Sequence, residues 1–215
     1  MLTRSRGVVL ALAALALAAC SNVHPGAAAV VDGESISMRT LDDTATAYCA
    51  LTANAAQQQG VTTVSSSDVR RQAIVGLVSL RVARDLVRSE NLTIEPTSYE
   101  LTATQRDQIP QAFPDADADE IAQAIEDNQE ISAIAIALAE KQTNQQATAE
   151  NESQFADLGQ KAILDAFKGK DVSFAPRFGL DPTGQPRADT GAIAVTPVDV
   201  DAPVDEELPR ALRCA

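Results

Sequence analysis

The sequence predicts a mainly helical fold, a bundle with a small β element in which a strand near the start of the chain pairs with a strand near its end. Three observations carry this expectation. "AVVDGESISMRTLDD", Ala29 to Asp43, reads as a short apolar strand, a tight turn at Asp32-Gly33, a second short strand and the start of a helix. From there to about residue 168 the apolar residues recur mostly at helical spacing. "KDVSFAPRFGLDP", Lys170 to Pro182, then returns to strand-forming Val172, Phe174 and Phe178, broken by Pro176. A lone two-stranded hairpin is marginal in water, so the returning segment is the expected partner, and pairing satisfies backbone groups on both strands.

The helices follow in order. From Arg39 to Gln59, Leu41, Ala45, Tyr48 and Leu51 mark one face, and Gly60 closes the run. "SSSDVRRQAIVGLVSLRVARDLVRSEN", Ser65 to Asn91, is the clearest helix, with Ser67 or Asp68 as its cap. Val69, Ala73, Leu77, Leu80, Ala83 and Val87 share a broad apolar face that Ile74, Val78 and Val82 widen, which places this helix at the centre of the bundle. Arg81, Arg84, Asp85 and Arg88 take the other face. "TIEPTSYELTATQRDQIP", Thr93 to Pro110, predicts an extended approach and a helix opened near Pro96 and Thr97 and closed before Pro110. Phe113 to Gln142 holds one or two further helices; its alternation at Ile134, Ile136 and Leu138 resembles a strand, but length and alanine content favour helix. The last helix runs from about Asn151 to Phe167, burying Phe155, Leu158, Ile163 and Phe167 and stopping at Gly169.

The two ends of the chain read differently. "MLTRSRGVVLALAALALAACSN" has Arg4 and Arg6 ahead of an apolar run, Gly7 to Ala19, and then Cys20, the pattern of a signal peptide over residues 1–19. "LAAC" resembles the lipobox of bacterial lipoproteins, which implies that Cys20 becomes the new N-terminus and carries lipid such as palmitate in a diacylglyceryl group. The alternatives are a plain secretory signal or an uncleaved anchor, and the run is short for a spanning helix. Residues 20–27 form a tether that contains His24, the only histidine, residues 28–182 the folded lobe, and residues 183–215 a Pro- and Asp-rich tail in which "AIAVTPV" offers one edge strand.

Removing residues 1–19 of 215 leaves 196, enough for one domain with a real core, and moves the formal charge from −13 to −15 by deleting Arg4 and Arg6. Such acidity argues against nucleic acid as a partner and against lying flat on anionic lipid. Aromatics are 3% and Trp is absent, so the core is built from Leu, Ile, Val and Ala. With Cys20 lipidated, Cys49 and Cys214 remain, and an even pair in an exported chain predicts one disulfide from the first helix to the C-terminal end; two separate thiols are the alternative.

The segment "AAAVVDGESISMRTLDD" resembles the N-terminal segment of SurA-type and PrsA-type extracytoplasmic chaperones, in which a strand, a "V(N/D)G" turn and an "I(T/S)xxxLD" helix start recur. Val30, Val31, Asp32, Gly33, Ile36, Ser37, Leu41 and Asp42 carry the pattern here. "VSFAPRFG", Val172 to Gly179, resembles the returning strand of that family, with Ala175 in place of the usual Asn. The resemblance implies a helical lobe of SurA N-terminal or trigger-factor type that cradles unfolded chains. Only Leu92 to Glu150 lies between the second long helix and the last, and it reads helical, so the parvulin isomerase domain that many members insert there is missing.

Chemistry is scarce in the sequence. Asp115, Asp117, Asp119 and Glu126 fall at positions 1, 3, 5 and 12 of a calcium-loop count, but Glu120 stands where the loop needs glycine, which favours an acidic helix start instead. No nucleophile-elbow, zinc-protease, phosphate-loop or CxxC pattern is present, and the basic stripe Arg81, Arg84, Arg88 reads as a solvated face paired with acids. "NLT" at Asn91 and "NES" at Asn151 match glycosylation sequons by chance. The expected function is therefore non-enzymatic, with no metal or cofactor: a chaperone-like lipoprotein anchored on the extracytoplasmic face of a cell membrane, with unfolded exported proteins as partners. The sequence does not separate client-binding side chains from the core. Two other readings are an adaptor lipoprotein docking one envelope partner and a residual prolyl isomerase.

Overall fold

A computed structural model describes residues 25–61, 63–187 and 209–214. Strands β1 (Ala27–Val31) and β2 (Glu34–Ser37) form a hairpin around Asp32 and Gly33, both at positive φ, 49° and 84°, the backbone that a two-residue turn between right-twisted strands requires. Strand β3 (Val172–Phe174) lies on the other side of β1, giving an antiparallel sheet of order β2-β1-β3. Val31 faces Glu34 and Val172, and Ala29 faces Ile36 and Phe174. The expected return of the chain to its start, with the two end strands paired, is thus present. A polar clasp supports it: Asp32 N–H donates to Asp171 O at 2.9 Å, the Asp32 carboxylate accepts from Asp171 N–H at 3.0 Å, and Lys170 Nζ reaches Asp32 at 2.6 Å and Asp85 at 3.0 Å.

Among the described residues five α-helices follow from local signals. In α1 (Met38–Gln58) the Ser37 hydroxyl caps the first turn by accepting from Thr40 N–H at 3.0 Å. Helix α2 (Ser66–Ser89) is the central one: Ile74, Val78 and Val82 are fully buried, and the helix packs against α1, β1 and two later helices. Its cap is Ser65, not Ser67 or Asp68: Ser65 is held extended by a bridge to Arg213, and its hydroxyl oxygen accepts from Asp68 N–H.

The segment before Pro110 differs from expectation. Pro96–Ser98 makes only a single 3-10 turn, and α3 (Ala103–Ala112) starts later, where Thr102 and Gln105 form a reciprocal capping box. Pro110 lies inside α3 instead of beyond its end. In the last turn its missing N–H forfeits one helical bond, and burial of the adjacent Ile109 offsets that loss. The region expected to hold one or two helices holds one, α4 (Ala118–Thr143), ended by Asn144 at φ 53°.

Helix α5 (Glu152–Lys168) buries Phe155, Ile163 and Phe167 as expected, but Leu158 is half-exposed and Gly159 takes its place in the core. The reason is a close crossing with α4: a Cβ built on Gly159 would stand 1.7 Å from Ala135 O. After β3, Phe178 and Leu180 complete the core, and Asp181 closes a turn by accepting from Thr183 and Gln185 N–H. The turn brings Leu180 opposite Pro186, so residues 183–187, read as the start of a tail, pack on the lobe. Residues 209–214 lie against the start of α2, with Cys214 N–H donating to Val64 O at 2.9 Å. The edge strand predicted in Ala192–Val198 lies outside the described residues.

Candidate functional site

A groove of about 650 Å³ opens where β2, α1, α2 and α4 meet. Its apolar surface comes from Ile36, Leu77, Leu80 and Ala124, and its rim from Ser35, Thr40, Asp43, Thr44, Asp119, Glu120, Gln123 and Asp127. The hairpin turn aims Ile36 inward with Ala29, and the wide apolar arc of α2 supplies Leu77 and Leu80. Leu80 is buried while Leu77 stays half-exposed, so the arc is broader than its neighbours cover. That width was the only sequence signal for the groove; its residues come from segments far apart in the chain and carry no shared motif.

Two arginines stand in the groove wall, and both are engaged. Arg81 pairs with Glu34 of the hairpin. Arg84 makes a two-pronged contact with Glu130, 2.8 Å through Nε and 2.5 Å through Nη2, and lies 3.7 Å from Asp127. The hydrogen bond to Glu130 raises the guanidinium further above its already high pKa. Arg88 pairs with Asp85, so the basic stripe is a paired surface, as expected. The carboxylates are less well served. Burial holds the Asp127 carboxyl above the usual carboxylate range, against opposing help from Gln123 and Arg84. Partial desolvation likewise raises Glu120, and the negative Asp117 and Asp43 add to it.

The four residues of the calcium-loop count do different work. Asp117 caps α4 by accepting from Asp119 N–H at 2.9 Å and Glu120 N–H at 3.2 Å. Glu126 turns the opposite way, into the contact with α3, where it accepts from Leu101 N–H at 2.7 Å and Arg106 at 2.5 Å. Among the described residues no three His, Cys, Asp or Glu side chains gather as a metal-binding group.

A second cavity, of about 920 Å³, lies between α1, the start of α2 and the α3–α4 loop, with Ala112, Phe113 and Pro114 on one side and Cys214 on another. Cys49 and Cys214 are joined there by a disulfide, with Cα atoms 5.0 Å apart, so the C-terminal segment is fastened to α1. Nearby, Tyr48 touches both buried clusters of the lobe and accepts a hydrogen bond from Asn128 at 3.1 Å; burial raises its phenol above the ordinary value.

Cys20, the signal segment and His24 lie outside the described residues. Among the described residues no helix is long and apolar enough to cross a membrane. No protein-family model matches the chain, and neither a curated protein nor a solved structure does.

Proposed function

We propose that the protein is a chaperone-like lipoprotein, held by lipid on Cys20 at the extracytoplasmic face of a cell membrane, whose SurA-type lobe binds unfolded exported polypeptides without covalent chemistry. The groove between β2, α1, α2 and α4 is the observation that supports this reading best. It offers an apolar surface at Ile36, Leu77 and Leu80 beneath a polar rim, where an apolar client side chain loses water. The pairing of β1 with β3 also brings together the two segments, Val30–Asp42 and Val172–Gly179, that resemble the family. The test is light scattering from a chemically unfolded exported protein diluted with and without the purified chain. A reduced aggregation rate at stoichiometric amounts is expected; identical traces would overturn the reading.

A second reading is an adaptor that docks one envelope partner. It is favoured by the scarcity of oily surface: among the described residues the exposed large apolar side chains are Val61 in a loop, Leu164 in α5 and Leu212 in the C-terminal segment. Photo-crosslinking from position 77 in cells separates the two, since a chaperone yields many adducts and an adaptor one.

A further inference from the structure

The groove's rim carries an imbalance of charge. Asp43 projects from α1, and Asp119 and Glu120 from the first turn of α4. The two acids on α4 complement the start of their own helix, but Asp43 does not, since it belongs to a different helix. No ion pair reaches Asp43, Asp119 or Glu120 among the described residues, and the arginines in the same wall are held by Glu34 and Glu130. Glu120, whose carboxyl is raised first by desolvation, is pushed up further by the negative Asp117 and Asp43. A cation placed at this rim relieves the repulsion between Asp43 and Glu120 that the protein does not relieve itself.

The same groove borders an unfinished sheet edge. β2 is the outer strand, and the two-residue turn makes Val31 and Glu34 the hydrogen-bonded pair that closes the hairpin. Pairs alternate along an antiparallel ladder, so Ser35, opposite Val30, directs its N–H and C=O away from β1. Ser35 lines the groove. An extended chain laid along this edge would take up those groups and send alternate side chains toward the apolar surface.

We infer that the groove binds an extended, cationic polypeptide segment, paired through its backbone to Ser35, with an apolar side chain on Ile36, Leu77 and Leu80 and a Lys or Arg side chain among Asp43, Asp119 and Glu120. The inference rests on the client-binding reading above and adds to it a class of client: segments in which basic and apolar residues lie close together. An anionic segment of the same shape meets three unpaired carboxylates and is rejected.

Fluorescence anisotropy with the full chain and three labelled ten-residue peptides tests this. The peptides share Val and Leu positions and differ in carrying Lys, Ser or Glu between them. The Lys peptide is expected to bind at least tenfold more tightly than the Glu peptide, with an advantage that shrinks as salt is raised. The double substitution Asp43→Asn and Glu120→Gln should erase most of that ratio without lowering affinity for the Ser peptide. Ser35→Pro, which removes an outward N–H at a strand edge where proline is tolerated, should weaken the Lys and Ser peptides alike while leaving the thermal midpoint unchanged. Equal affinity for all three peptides overturns the inference and leaves the client-binding reading standing. Binding of none of them overturns both.

Discussion

Two groups of buried side chains divide the lobe. Around the sheet, Ala29, Val31 and Val172 meet Leu41, Ile74, Val78, Ile163 and Phe167 in a large continuous core. Around α3, the core is Ala47, Ile109, Ile121, Ala122 and Ala124, with smaller side chains and fewer of them. Apolar burial stabilises by roughly 25 cal/mol per Å², so the first region is held by packing while the second gains far less from that source. The α3 region adds directional ties instead: the capping box at Thr102, the Glu126 carboxylate on Leu101 N–H and Arg106, and the disulfide at Cys49. The difference teaches that one small domain can be stabilised by shape at one end and by specific bonds at the other.

The comparison breaks most severely at the crossing of α4 and α5. In an exposed helix, replacing glycine by alanine stabilises by about 1 kcal/mol. At Gly159 the added methyl meets the backbone of Ala135 at 1.7 Å, so the helices must separate. Gly159→Ala is expected to destabilise the chain by about 3 kcal/mol through overpacking, read as a lowered urea midpoint. A neutral or stabilising result would mean that the sheet-side core is not held by shape.

A smaller effect should follow from opening the disulfide. The cross-link spans 165 residues, for which the chain-entropy account gives about 5 kcal/mol and typical measurements give less. Cys214→Ser is expected to cost about 2 kcal/mol in urea unfolding under oxidising conditions, and to expose the amides near Val64 to hydrogen exchange before those of α2. If dithiothreitol leaves the wild-type midpoint unmoved, the bond contributes nothing to the α3 region. The smallest change is at the cap. Thr102→Ala removes the acceptor for Gln105 N–H and should cost about 1 kcal/mol, with faster exchange confined to α3. Equal acceleration in α2 would show that the two regions open together.

Much of the architecture was legible because its signals are local. Asp32-Gly33 demanded a tight turn, the apolar stripe from Val69 to Val87 demanded a central helix, and Val172 to Phe174 had the composition of a strand with a missing partner. The errors arose where tertiary context overrode a local rule. Pro110 has the local signature of a helix stop, yet a last helical turn tolerates it when the neighbouring Ile109 is buried. Ser65 caps α2 through an extended backbone that depends on Arg213, far along the chain, so no local signal marks it above Ser67 or Asp68. Leu158 outranked Gly159 by hydrophobicity, although a glycine inside an apolar helical face is itself a sign of close approach. The groove was invisible for a related reason: Ile36, Asp43, Leu80 and Glu120 are ordinary residues until four elements bring them together.

The clasp between Asp32 and Asp171 joins positions 139 residues apart. A ribosome making this chain releases β1 early and β3 only after every helix of the lobe has been synthesised. Throughout that interval the nascent hairpin keeps one flank of β1 bare, and a bare strand flank invites pairing with other polypeptides. A translation product halted short of Val172 therefore carries a sticky ribbon that the finished molecule conceals, and the last few residues of the lobe act as its seal.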